Sequence, residues 1–220
     1  MKKIILPFLL FVGLSVFAQG KFTEGVIVMQ QKMTSSNEQI NAQLAMMGEM
    51  KTTSFIKGNK SRSELSNQMS GDVTTIFDGD KKEMILMMDN PLTGKKYMQK
   101  GTEPSKEELE ALSVTKTNET KEILGYKCDK YEFTINQNGA EVKGFLFATN
   151  QIVTSSQASS QYGDKVKGFP LYTEMDVNQM GMDMKMIMEV TEIKKESVSD
   201  DKFDMTVPEA YEKVDNIPGM

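Results

Sequence analysis

The sequence MGMDMKMIMEV, from Met180 to Val190, decides the fold expected for this chain of 220 residues. Every even position in the stretch is apolar, and five of these six positions carry methionine. The odd positions include Asp183, Lys185 and Glu189. Apolar and polar residues that alternate with a period of two are typical of a β-strand with one buried face. Because methionine is flexible and polarisable, the stretch predicts a strand whose buried side forms a deformable apolar wall.

The preceding segment, Phe169 to Val177, has the matching alternation and is predicted to pair with this strand as an antiparallel hairpin. We expect a two-residue loop at Gln179-Met180, which fixes the register because loop length determines which residues face each other. The predicted pairs are Val177 with Met182, Met175 with Met184, Thr173 with Met186, Leu171 with Met188 and Phe169 with Val190.

The remaining sequence predicts short strands separated by turns. Val73 to Phe77 is followed by Asp78-Gly79, a strong signal for a tight hairpin. Met84 to Met88 is a short apolar run that suits a strand covered on both faces. Such segments recur between residues 51 and 99 at a spacing of roughly 8–12 residues, which is typical of an antiparallel meander or barrel. The predicted fold class is mostly β (α+β): a single curved antiparallel sheet or half-barrel, with two or three short helices packed on or near its concave face.

Two other segments have helical signals. In Asn37 to Met50, the apolar residues Ile40, Leu44 and Met47 recur at i, i+4 and i+7, which predicts an amphipathic helix. We expect this helix, with its methionines, to form a lid over the Met-rich hairpin. A short second helix is predicted at 104–112, because Ser105 and Glu108 have the spacing of a capping box.

The composition excludes several classes of function. The chain has 31 acidic and 26 basic residues and no basic patch, which argues against nucleic acid because phosphate neutralisation requires clustered Lys and Arg. It contains no histidine, so Ser–His and Cys–His pairs and His-based zinc sites are absent. The one cysteine, Cys128, has no partner for an intramolecular disulfide and is expected to be buried. We therefore assign no catalytic residue, no metal ligand and no cofactor, and expect no enzyme activity.

Residues 1–18 have the features of a secretory signal peptide. Lys2 and Lys3 precede the apolar run Ile4 to Phe17, and small residues lead up to an expected cleavage between Ala18 and Gln19. No cysteine follows this run, so no lipid anchor is expected there. The prediction is a periplasmic or secreted protein with no transmembrane segment in its mature part, residues 19–220, which forms one half-barrel domain.

Two short motifs resemble known families. The segment Asp200 to Tyr211 resembles the closing F…P-x-x-Y of the periplasmic lipoprotein-carrier folds (LolA, LppX and relatives). Gly125 to Cys128, followed by Lys130-Tyr131, resembles a motif of a secreted Bacteroides/Flavobacterium-type family known as domain of unknown function 4412. The carrier resemblance implies a curved half-barrel whose concave face is partly plugged by helices and holds acyl chains.

The methionines support three interpretations of function. They can form an ordinary closed core, an adaptable groove for a lipid, acyl chain or hydrophobic peptide, or a thioether site for Cu(I). The preferred interpretation is a non-enzymatic envelope protein that binds or carries a hydrophobic ligand. The Cu(I) protein and the closed structural domain are the alternatives. The predicted ligand-binding residues are Met47, Leu171, Met175, Met182, Met184, Met186 and Met188.

Overall fold

The computed structural model describes residues 20–67, 71–137, 140–179 and 182–217. The predicted signal peptide, residues 1–18, lies outside this part. Among the described residues, none forms a helix with the length and apolar character required to cross a membrane. The strands are β1 (Glu24–Ser35), β2 (Met50–Lys57), β3 (Lys60–Asn67), β4 (Gly71–Asp78), β5 (Glu83–Asn90), β6 (Gly94–Gly101), β7 (Leu112–Ile123), β8 (Tyr126–Gln137), β9 (Ala140–Thr149), β10 (Phe169–Gln179), β11 (Met182–Lys194) and β12 (Glu212–Lys213).

All described strands join in one curved sheet, which confirms the predicted fold class. The strand order is β12-β6-β5-β4-β3-β2-β1-β11-β10-β9-β8-β7, and the sheet does not close on itself. Neighbouring strands are antiparallel except for β12, which runs parallel to β6. The sheet therefore consists of two meanders that meet at β1.

The central place of β1 follows from its sequence. Val26, Ile27 and Val28 are consecutive and all buried, so this strand has apolar side chains on both faces. A strand that is covered on both faces belongs in the interior of a sheet. The structure places β1 between β2 and β11, where it links the two halves.

The hairpin of β10 and β11 differs from the predicted register by two residues. Gln179 pairs with Met182 and therefore belongs to β10, so the predicted loop at Gln179-Met180 is wrong. A shift of two keeps every side chain on its face, so the predicted apolar face is retained. The observed pairs are Val177 with Met184, Met175 with Met186 and Thr173 with Met188, and the predicted pairs are wrong.

The first helix, α1 (Glu38–Met47), forms as predicted but is not the expected lid. Asn37 caps it, since its side chain accepts hydrogen bonds from the backbone N–H groups of Gln39 and Ile40. The helix packs mainly against β1, and Met46 is 84% exposed. Met50 lies outside the helix and begins β2. The expectation that Met46 and Met50 cover the hairpin is therefore wrong, and the Met47 side chain lies outside the described part.

Two short helices lie in the half formed by β7 to β10: α2 (Lys106–Ala111) contacts β7 and β8, and α3 (Gln157–Ser160) contacts β10. The predicted capping box of α2 is present: Glu108 N–H donates to Ser105 Oγ at 3.1 Å, and Ser105 N–H donates to Glu108 Oε2 at 2.7 Å. The residues after α3 cover the concave face of this half. Tyr162 and Val166 share a buried cluster with Leu112, Tyr131, Phe133, Leu146 and Ala148.

Strand β7, which forms one outer edge of the sheet, was not predicted. Most of its residues are polar and exposed, so it lacks the apolar alternation by which the other strands were found. Its connection to β8 is a two-residue turn in which Leu124 and Gly125 have φ of 50° and 79°. Positive φ at both central positions defines the type I′ hairpin turn.

The C-terminal residues cross the convex face and pass over the other edge. Met205, Val207 and Tyr211 pack against convex-face residues of β4 and β5. The chain then adds β12 to the edge of β6 and ends its described course with Ile217 buried on the concave side. The segment that resembles the carrier families thus lies on the convex face, and the residues that follow it reach the concave face.

The tight packing of the concave face can be tested by substitution of Gly144 in β9. A Cβ there would meet Glu174 O at 2.3 Å and Phe133 Cζ at 2.8 Å, because the Phe133 ring lies over the glycine. We expect Gly144→Ala to lower the free energy of unfolding by about 1–3 kcal/mol through overpacking. Urea unfolding followed by circular dichroism measures this change. Gly101→Ala is the matched control, since its nearest atom is 3.9 Å away; equal effects of both substitutions would contradict the packing account.

Candidate functional site

Three neighbouring strands bring methionines together on the concave face. Met186 of β11 lies directly opposite Met175 of β10 on one side and Met33 of β1 on the other. Met184 and Met188 lie on the same face, one alternate position away along β11. We call this set the methionine groove: Met33, Met175, Met184, Met186 and Met188.

The methionine groove is apolar and accessible. All five side chains are half-buried, whereas the residues nearer the other strand ends, such as Val190, are fully buried. Met175 packs against the buried cluster of the β7 to β9 half. Among the described helices, α1 packs mainly on β1 and α3 packs on β10. The groove is therefore a surface on which another apolar molecule can pack.

A second row of apolar side chains extends the groove toward β8. Met184 is opposite Val177, which is opposite Val142, which in turn is opposite Ile135. All four are half-buried. The accessible apolar surface thus crosses four strands without a charged side chain in this row.

Charged residues surround the ends of these strands. A cavity of about 550 Å³ there is lined by Met184 and Val177 and by charged residues of β9, β10 and β11. Lys143 pairs with Glu141 at 2.6 Å. Lys185 pairs with Glu174 at 2.5 Å, and this hydrogen bond lowers the pKa of Glu174 and raises that of Lys185. These charged residues alternate with the groove residues along their strands, so both ion pairs lie on the face of the sheet opposite the methionines.

The predicted site residues have different places in the structure. Met175, Met184, Met186 and Met188 come together in the methionine groove. Leu171 is 1% exposed and belongs to the buried core with Phe22, Ile27 and Val190. The side chains of Met182 and Met47 lie outside the described part.

Met33 and Val177 were not predicted as groove residues. Val177 follows the apolar and polar alternation of its strand, whereas Met33 has polar residues, Gln31 and Ser35, on either side of it on the same face. What was not readable is that β1 pairs with β11 across a separation of more than a hundred residues, which brings Met33 opposite Met186.

A separate chamber of about 530 Å³ lies between the two ends of the curved sheet. Met84 and Lys100 contribute from β5 and β6, and Leu112 and Ile135 from β7 and β8. Tyr162 forms part of its lining; its ring centroid is 5.7 Å from that of Phe133, and burial raises its pKa to about 12. The chamber is therefore bordered by both ends of the curved sheet.

No group of three or more Asp, Glu or Cys side chains is arranged to hold a metal ion in the described part of the chain. Cys128 is fully buried, and its Sγ contacts Tyr126 O at 3.4 Å. Burial, together with the charge of Asp129, raises the pKa of Cys128 to about 11. The thiol is therefore placed as a core side chain.

This burial predicts that Cys128 is unreactive in the folded protein. At pH 8 a thiol with a pKa near 11 is only about 0.1% thiolate, the form that attacks disulfides. We expect no reaction with Ellman's reagent at pH 8 over an hour and complete reaction after unfolding in guanidinium chloride. Rapid modification of the native protein would show that the Cys128 site opens.

Comparisons with known proteins identify a family, and solved structures that match include a distant one. The family model described as Domain of unknown function (DUF4412) matches residues 24–211. Among curated proteins, none matches the sequence. A solved structure titled "Structure of PNGF-II in C2 space group" is 14% identical and aligns with 87% of this chain, with a TM-score of 0.47. The matched part is 31% of the length of that protein's chain.

Proposed function

This chain belongs to the family Domain of unknown function (DUF4412), and we propose that it is a non-enzymatic envelope protein that binds a hydrophobic ligand. The ligand class is a lipid, an acyl chain, or a lipidated or hydrophobic peptide, and the site is the methionine groove. One observation carries the proposal: half-buried methionines lie side by side on the concave face, and the helix expected to cover them packs elsewhere. A soluble protein that leaves such a surface accessible gains stability when an apolar partner covers it.

The energetics favour an acyl chain. Each methylene group moved from water onto an apolar surface contributes about 0.8 kcal/mol. Methionine adapts to chains of different shape because its side chain has several rotatable bonds and a polarisable sulfur. The groove residues come from three strands whose backbones are held by hydrogen bonds. The backbone of the groove is therefore rigid, while its methionine side chains can change conformation.

The cavity at the strand ends, which Met184 and charged residues line together, supports an amphiphilic ligand over a purely apolar one. An acyl chain placed along Met186 and Met184 would end near the cavity lined by Lys143, Asp176 and Lys185. Polar ends of the ligand would remain hydrated there, so the cost of burying a polar group is avoided.

We also propose that the protein acts in the periplasm or outside the cell. Support comes from the pattern of residues 1–18, which has the charged start and apolar run of a signal peptide. Mass determination of the protein isolated from its host tests this; a chain that starts at Gln19 is expected, and a chain that retains Lys2 and Lys3 would refute cleavage.

Binding of cis-parinaric acid, a fluorescent fatty acid, tests the main proposal. We expect saturable binding, and a loss of affinity of about tenfold or more in the variant Met184→Lys/Met186→Lys, because an ammonium group resists desolvation by an acyl chain. Met46→Lys is the control, since Met46 is 84% exposed on α1. Absence of saturable binding by the unmodified protein, or equal affinity of the groove and control variants, would refute the proposal.

A second candidate function, Cu(I) binding, is favoured by one specific observation. Met186 has Met175 and Met33 as direct cross-strand neighbours, and adjacent strands lie about 4.7–4.9 Å apart. The thioethers of these residues are thus closer than those of alternate methionines within one strand. A donor set of thioethers alone selects Cu(I) among the common metal ions.

Leucine substitutions separate the two functions. Met175→Leu/Met186→Leu removes two sulfur atoms and keeps the side chains apolar, so fatty-acid affinity should change by less than about threefold. If the groove binds Cu(I), competition with a chromophoric Cu(I) chelator will show one ion bound by the unmodified protein and none by this variant. The control Met46→Leu should bind as the unmodified protein does. Equal Cu(I) binding by all three proteins would exclude these methionines as ligands.

A further inference from the structure

The concave face of β4 and β5 holds a second apolar patch, which the chain's own C-terminal residues cover. We call this the distal patch; its buried members are Val73, Phe77, Met84 and Leu86. The other described members of this cluster belong to β3 to β6, except for two residues near the C-terminus. These are Ile217, which is 0% exposed, and Val214, which is half-buried. The distal patch is therefore covered by the end of the chain and not by a helix.

The distal patch and the methionine groove lie on one face of the sheet. Successive cross-strand pairs lead from Met88 through Val73, Leu65 and Thr52 to Met29 of β1. Small polar side chains separate the two apolar regions. Ser54 and Ser63 lie opposite each other on this face, and their hydroxyl groups are 2.8 Å apart. The distal patch is thus a separate site that faces the same interior.

The connection that holds the C-terminal residues at the edge is short. Strand β12 contains two residues, Glu212 and Lys213, both exposed, whereas every other strand has at least eight. Beyond β12, Val214 N–H donates a hydrogen bond to Tyr97 O at 2.9 Å. Before β12, the Lys95 ammonium lies 5.5 Å from the centre of the Tyr211 ring. Few contacts need to break for Val214 and Ile217 to leave the concave face while Tyr211 stays on the convex face.

Space for a ligand lies next to the distal patch. Met84 lines the chamber of about 530 Å³ between the sheet ends. Phe77 lines a neighbouring cavity of about 560 Å³, bordered by Ile152 and Val153. An aliphatic chain that replaced Ile217 on Met84 and Phe77 would continue into these cavities.

We infer that the distal patch is a second binding site for aliphatic chains, and that residues Val214 to Ile217 occupy it as an intramolecular plug that a ligand displaces. The inference rests on the proposed function, because the displacing molecule belongs to the same class of hydrophobic ligand. The plug presents an isoleucine and a valine to the patch, so the chemistry that the patch accepts is branched or linear aliphatic surface. The plug also explains how the apolar face of β4 and β5 is protected from water when no ligand is bound.

The test uses the full chain with Val214→Asp/Ile217→Asp, called the plug variant. Buried carboxylates without partners are costly, so these side chains will leave the patch and expose it. Titration with cis-parinaric acid should then show an additional binding event, or an affinity at least about threefold higher than that of the unmodified protein. The matched control is Met46→Asp/Leu92→Asp, which adds the same charges at positions that are 84% and 88% exposed. The control should bind as the unmodified protein does.

A combination with the groove variant distinguishes the inference from the proposed function. If both hold, the plug variant that also carries Met184→Lys/Met186→Lys retains the additional binding event and loses the first. If the unmodified protein binds cis-parinaric acid but the plug variant binds it identically, the plug inference is overturned and the methionine groove stands. If no variant binds, both are overturned.

Folding is checked by circular dichroism and thermal unfolding of each variant. Should the plug variant fail to fold, Ile217→Ala serves in its place, since it removes part of the aliphatic surface without adding a charge. The expected result is then an increase in cis-parinaric acid affinity in the same direction. Unchanged affinity in a folded Ile217→Ala protein would overturn the inference.

Discussion

The backbone pairing of β1 with β11 is the interaction on which the rest of the sheet depends. It joins the meander of β2 to β6 to the meander of β7 to β10, and without it each half would expose a long apolar strand edge. This pairing also determines which side chains of the two halves share a face of the sheet. A slip of one residue would turn every side chain of one half to the other face. The buried run Val26 to Val28 makes that slip costly, since both of its faces must stay covered.

Much of the fold could be predicted because it depends on local sequence. The capping box of Ser105 and Glu108 is a property of a few adjacent residues, and it is present. The hairpin of β10 and β11 was placed on the correct face despite a wrong register, because a shift of two residues preserves the alternation. Strand β7 was missed for the opposite reason: an exposed edge strand buries little, so its sequence carries no apolar period.

The candidate site was predicted in part, and the missing part is nonlocal. The spacing of the methionines in β11 predicted that they share a face. Met33 joins them only through a strand pairing between distant parts of the chain. Whether the face was open depended on where α1 packs, and the amphipathic pattern of a helix identifies its apolar side without identifying its partner. The covering of the distal patch by Ile217 likewise follows from the path of the chain around β6, which no local pattern encodes.

The unjoined edges of the sheet have a consequence for the width of its interior. In a closed barrel the bore is fixed by the number of strands and their stagger, so widening it breaks backbone hydrogen bonds. Here β6 and β7 face each other across a chamber lined by Met84, Leu112 and Tyr162, and no strand pairing joins these two strands in the described part of the chain. We expect the two meanders to part or approach without breaking any strand pairing. The packing of side chains at this seam, and not the backbone geometry of the sheet, therefore sets the width of the interior.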